Sequence, residues 1–339
     1  MRDEPAPERE LTDPVALVDA KGRLNPDALG FTRQPLHDTS GLRRSWRGLG
    51  RNKRWEYWAV MAPSHVVALT VADLDYAALH SLWILDRASM EAREHTALRP
   101  FGRGTELPAS LGRGPARARS RGLDIDIDTR AEGTRLRAEA GDLSLAIEVP
   151  LPEGHERLGV VVPWSRTRFQ YTIKDVARPA QGWLRVRGKA HELRDGQTWA
   201  VLDHGRGRWP YRLNWNWGAG SGRVGERVIG VQLGGKWTVG TGATENALVV
   251  DGRLSKISEE FEWRYDLDNP LRPWRVFGER VELRFEPFYD RAATIDLGLF
   301  ASRQHQCFGT WTGAVIDDAG ERVRVDGVEG WAEDVRNRW

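Results

Sequence analysis

Residues 123–129 read L-D-I-D-I-D-T, 134–140 read T-R-L-R-A-E-A, and 143–149 read L-S-L-A-I-E-V, with the turn pairs E-G and G-D between them. Successive side chains of a strand point to opposite faces, so each segment buries Leu, Ile, Ala and Val on one side and wets Asp, Arg and Glu on the other. Three such segments in a row predict an antiparallel meander with one wet face. They set the expected class as all-β.

Working outward, W-E-Y-W-A-V-M-A-P-S-H-V-V-A-L-T-V-A-D-L-D-Y from Trp55 gives two β-branched and aromatic runs broken at Pro63-Ser64, and residues 79–85 give a third. L-G-V-V-V-P-W, F-Q-Y-T-I-K and G-W-L-R-V-R-G follow Pro150. Further on, Phe261, Trp263 and Tyr265 share one face of a strand, as do Val281, Leu283 and Phe285. Helical period is confined to residues 86–94 and 329–339, and the second of these predicts a short C-terminal helix. Residues 93–122 read as a solvated loop carrying Arg113, Arg117, Arg119 and Arg121. The first forty residues, with Pro5, Pro7, Pro14, Pro26 and Pro35, read as an extended lead-in with one small hairpin in L-V-D-A-K-G-R-L.

A chain of 339 residues exceeds one ordinary core and predicts two units. The expected division is a lead-in over 1–40, a first barrel over 41–180 and a second over 181–339. Fifty Lys and Arg against 48 Asp and Glu leave a net charge of +2, which argues against a nucleic-acid or anionic membrane partner. A lone cysteine, Cys307, permits no internal disulfide, and the first residues lack the apolar run of a signal peptide, so a cytoplasmic location is expected. Trp, at 16 against nine Phe and six Tyr, is the outlying residue, and each indole N–H needs a partner when buried.

Several near-motifs fail on chemistry. Asp124, Asp126 and Asp128 lack the Gly and Glu of a calcium loop, having Thr129 and Arg135 at those places. Gly230-V-Q-L-G-Gly235-Lys236 is followed by Trp237, with no hydroxyl for magnesium. Gly218, Gly220 and Gly222 precede no helix that would offer its N-terminus to a pyrophosphate. His305 and Cys307 share a strand face, but a buried structural thiol is the simpler reading, and no other His spacing suggests a metal. No metal and no cofactor are expected.

Chemistry concentrates in T-W-A-V-L-D-H-G-R-G-R-W-P-Y-R-L-N-W-N-W-G-A-G-S-G, residues 198–222. The first part reads as a strand ending at Asp203 and His204, which face opposite sides. If Asp203 faces inward, Trp199, Trp215 or Trp217 would shield it and make it a dry general acid; the bland alternative is a bond to Arg206. Glu245, at the entrance of an apolar strand in T-E-N-A-L-V-V-D-G, is the second candidate carboxyl. Within 211–217, Trp215 and Trp217 share one face and Asn214 and Asn216 the other, while the following glycines permit a bend or a close approach.

These segments, with F-E-P-F-Y-D-R, Q-C-F-G-T-W-T-G and V-V-V-P-W-S-R-T-R-F-Q-Y-T-I-K, resemble the bacterial and fungal family called domain of unknown function 2804. At fold level that family is similar to two-barrel lipocalin-like proteins such as carotenoid 1,2-hydratase and tocopherol cyclase. The resemblance implies two antiparallel barrels and an acidic side chain that protonates a greasy substrate, with Asp203 most similar in context to that acid. The expected function is binding of a small, largely apolar or aromatic molecule in a Trp-lined cavity, with acid-catalysed hydration, isomerisation or cyclisation. Asp203 is the acid, Glu245 a second acid or orienting base, and Asn216, Asn246 and Gln306 hold polar ligand atoms. The alternatives are a lipophilic carrier without catalysis, and sugar chemistry by Asp203 and Glu245.

Overall fold

The computed structural model describes residues 8–42, 48–296 and 301–338; Pro5 and Pro7 of the lead-in lie outside them. The chain is all-β, and its strands form three large sheets. An eight-stranded sheet runs Phe31–Thr32, Leu158–Ser165, Arg168–Pro179, Trp199–Arg208, Asn52–Met61, His65–Asp73, Ala77–Asp86 and Glu91–Pro100. A seven-stranded half-barrel, from Thr105–Glu106 to Lys189–Leu193, contains the meander in the register its sequence dictates, with Ile127 opposite Leu136 and Leu136 opposite Ile147. These two sheets close over one core of alternating residues, among them Trp58, Leu69, Ile125, Leu136, Ile147, Tyr171 and Leu202. A ten-stranded curled sheet over residues 212–338 wraps a second core around Trp274, Phe285 and Trp311.

A third core lies between the eight-stranded and ten-stranded sheets. Ala59, Val66, Ala68, Trp83, Val160 and Val201 from one meet Trp217, Ala219, Val249, Phe308 and Trp331 from the other. Strands of the eight-stranded sheet are therefore buried on both faces, which explains why the runs around Val66–Leu69 are continuously apolar. The strands Gln181–Val186, Lys189–Leu193 and Trp199–Arg208 pair within the first two sheets, and the ten-stranded sheet begins at Arg212.

Both helical expectations are overturned. Residues 86–94 form the end of one strand, a tight turn and the start of the next; Met90 sits at φ 57° and Asp86 Oδ1 accepts from the amides of Ala88 and Ser89. The tail is the strand Val328–Arg338, held between Arg212–Val224 and Ala301–Ile316, where ladder bonds on both sides outweigh a weak helical period. The supposed loop over 93–122 also contains strands, in which Arg117 stands opposite Asp126 and Arg119 opposite Asp124, and both arginines bond Asp126. The hairpin within 17–24 is present, with Val18 opposite Leu24. The lead-in is structural: Leu17, Leu24 and Ala28 enter the first core, and Glu8 bonds Thr244 and Lys256 of the ten-stranded sheet.

The glycines after Trp217 have a steric cause. Trp311 lies inside the curl of the ten-stranded sheet, against the backbone of the strand Arg212–Val224, two strands away, and donates its N–H to Ala219 O at 3.2 Å. A Cβ at Gly220 would stand 2.8 Å from Trp311 and 2.9 Å from Val328, and one at Gly218 2.9 Å from Trp311. Gly220→Val is expected to destabilise the fold by about 1–3 kcal/mol through overpacking. A lower urea midpoint with an unchanged slope is the expected observation; an unchanged midpoint would contradict this packing.

Candidate functional site

The polar side chains of the third core form two facing rows, fixed by strand register. On the eight-stranded sheet Lys174, Asp203 and Tyr57 are successive cross-strand partners. On the ten-stranded sheet Arg291, Gln306, Glu333, Trp217 and Gly234 are successive partners. The strand Trp199–Arg208 continues beyond the expected end, so Asp203 is a mid-strand residue. It shares the inter-sheet face with Val201, while Leu202 and Ala200 enter the first core.

Asp203 accepts from Trp55 Nε1 at 3.0 Å and Thr172 Oγ1 at 2.9 Å, and pairs with Lys174 Nζ at 3.2 Å. Gly205 makes the first contact possible, because the Trp55 indole lies where a Cβ would stand. The same ammonium reaches Glu245 Oε2 at 3.3 Å and lies 4.0 Å from the Trp217 ring centroid. Glu245 folds its side chain over Gly234 and accepts from Trp237 Nε1 at 2.5 Å. Glu333 accepts from Trp215 Nε1 at 2.7 Å. Two carboxyl groups thus converge on one lysine, a third lies within its field, and a different indole N–H holds each.

Burial opposes the charge on Lys174, but Asp203 and Glu245 outweigh it and hold the ammonium above its ordinary range. Burial pushes Glu245 up, against the pull of Lys174. Burial also lifts Glu333 to about 7, against the Trp215 hydrogen bond and the field of Lys174. Glu333 is thus a dry, raised acid that the sequence reading did not name. Arg206 is not the partner of Asp203: with His204 it points to the opposite face, where the two lie 3.6 and 3.5 Å from Glu56.

The other expected site residues divide. Trp215, Trp217 and Gln306 face the inter-sheet space, and Gln306 Nε2 donates to Tyr57 Oη at 3.1 Å. Asn214 is exposed, and Asn216 donates to Tyr265 Oη inside the ten-stranded sheet at 3.0 Å. Asn246 latches backbone, accepting from the Gly234 amide and donating to Glu259 O. Trp199 is buried on the face of Asp203 but four residues along the strand. Cys307 is fully buried and burial pushes its thiol up, while His305 bonds Asp290 at 2.9 Å. Among the described residues no group of three or more His, Cys, Asp or Glu is placed to hold a metal ion.

Sequence reasoning missed Lys174, Glu333, Tyr57, Trp55 and Trp237. Two signals were present. In F-Q-Y-T-I-K, Gln170, Thr172 and Lys174 share one face of a strand whose other face is apolar. In the tail, Trp331, Glu333 and Val335 share a face once the segment is read with period two.

The family model described as "Domain of unknown function (DUF2804)" matches residues 8–339. The chain belongs to this family. No curated protein matches it in sequence. Among solved structures, a putative AttH from Nitrosomonas europaea aligns with a TM-score of 0.50 at 13% identity, covering 84% of this chain and 92% of that one. CghA aligns with a TM-score of 0.51 at 11% identity, covering 85% and 88%. Kievitone hydratase from Nectria haematococca aligns at 0.49 and 9% identity, covering 86% and 90%. These likenesses are to the two-barrel lipocalin-like fold. Among the described residues no helix is long and apolar enough to cross a membrane.

Because the Glu333 carboxyl is raised from 4.5 to about 7, its proton stabilises the fold fully below about pH 4.5, and that contribution fades as pH rises through about 7. Glu333→Gln is expected to flatten the pH dependence of stability between those values. In the parent protein, fluorescence of the cluster that includes Trp215 is expected to titrate with a midpoint near pH 7. A titration that survives in the variant would refute the assignment to Glu333.

Proposed function

We propose that this DUF2804 chain binds a small, largely apolar molecule between its eight-stranded and ten-stranded sheets and transfers a proton to it, in a hydration, isomerisation or cyclisation. The observation that carries the reading is the coexistence of two carboxyls in contrasting surroundings. Glu333 is dry and poised near neutrality, where a general acid is most effective. Asp203 meets three donors, so its oxygens act as acceptors and it is the matching base. Lys174 supplies the compensating charge, and Glu245 fixes Lys174 in place. The apolar walls come from Trp83, Trp217, Phe308 and Trp331.

Sugar cleavage by Asp203 and Glu245 fits less well. Such a pair needs a groove between its carboxyls for the glycosidic bond. Here the Lys174 ammonium bonds both.

Solvent extraction and native mass spectrometry of the purified chain should recover a small apolar molecule. With that molecule, Asp203→Asn and Glu333→Gln are each expected to lower turnover by roughly 10²–10⁴-fold while binding persists. Binding without conversion in the parent protein would identify a carrier. Full activity in both variants would sink the acid–base assignment.

A further inference from the structure

In these two rows the hydrogen bonding of Tyr57 is incomplete in a way that points to a ligand. Its hydroxyl makes a single hydrogen bond among the described residues, and in it the oxygen accepts from Gln306 Nε2 at 3.1 Å. That bond uses a lone pair and leaves the phenolic proton without an acceptor. The ring edge-packs against Trp217 and Trp331, at 5.8 and 6.0 Å between centroids, so the hydroxyl cannot easily turn away.

The neighbours of Tyr57 define what its proton faces. Asp203 is its cross-strand partner on one sheet, and Glu333 is the cross-strand partner of Gln306 on the other. Tyr57 is only half-buried, and Asp203 keeps 11% of its side-chain surface open, so both side chains can be reached from solvent. Gln306 Oε1, in a side chain that is 1% exposed, also has no partner among the described residues. An unpaired buried donor or acceptor is costly, and a suitably placed ligand atom removes that cost. Burial, with Glu333 and Asp203 nearby, keeps the phenol neutral, against the field of Arg291 and the Gln306 bond.

We propose that Tyr57 is the hydrogen-bond donor to a carbonyl oxygen of the ligand, so that the site selects molecules carrying a ketone or similar carbonyl beside an apolar body. The inference rests on the reading that the inter-sheet space takes a small molecule. Tyr57 positions the ligand there; Gln306 acts through it by fixing the hydroxyl.

The test uses the full chain and two nearly isosteric probes, 2-acetylnaphthalene and 2-isopropenylnaphthalene, with binding read by equilibrium dialysis. The parent protein is expected to favour the ketone by about tenfold, the ratio that one well-placed hydrogen bond supplies. Tyr57→Phe is expected to bind both probes equally, with its alkene affinity unchanged, which also shows that the variant is folded. The carbonyl stretch of ¹³C-labelled ketone should move to lower frequency in the parent complex and return toward its hydrocarbon-solvent value in the variant. If the variant binds neither probe, the stretch in the parent complex decides, and an unshifted band overturns the proposal. A ketone preference that persists in Tyr57→Phe, or its absence in the parent, overturns the role of Tyr57 alone. If neither probe binds the parent, the small-molecule reading is overturned as well.

Discussion

An ammonium buried between two sheets is the constraint on which the rest of the site depends. Taking a charge of this kind out of water costs several kcal/mol unless opposite charges and hydrogen bonds replace the water. Lys174 belongs to the eight-stranded sheet, and its two carboxylate partners come from both sides: Asp203 from the neighbouring strand and Glu245 from the other sheet. The same contacts that neutralise the charge therefore fix how the two sheets dock. Glu333 lies within the field of Lys174 but has no bond to it, and burial leaves this acid near neutrality.

The abundance of Trp follows from this arrangement. A carboxylate among apolar walls needs donors that bring little charge of their own and fill volume, and an indole does both. Trp55, Trp215 and Trp237 each give their N–H to a different carboxyl group. Their rings, together with Trp164 and Trp209, meet edge-on or tilted at 5.2–6.2 Å. Trp311 answers a different need: it fills the second core, and the glycines at 218 and 220 make room for it. The juxtaposition of bulky and minimal residues in N-W-N-W-G-A-G thus has two causes, one on each face of a single strand.

Strands were legible wherever one face is wet and the other dry, as in the meander and in V-E-L-R-F-E-P. Reading failed where two local signals compete. In 329–339 the spacing of Trp331 and Val335 satisfies a helical repeat as well as a strand, and only the flanking ladders decide between them. Asp203 and Glu245 were recognisable because a carboxyl in or beside an apolar run is costly and demands a partner. Their partner was not, since Lys174 lies 29 residues from Asp203 and 71 from Glu245 in the chain.

The sequence by itself determined the all-β class, most strand faces, that Trp215 and Trp217 share one side of their strand, and the presence of acids in apolar surroundings. Those properties follow from local periodicity and from the cost of burying charge. The tertiary structure alone decided which acids meet, that burial raises Glu333, and that this polar cluster lies between two sheets. Such facts depend on register and on docking between segments far apart in the chain, and a period-two pattern carries no information about which other strand's face it will meet.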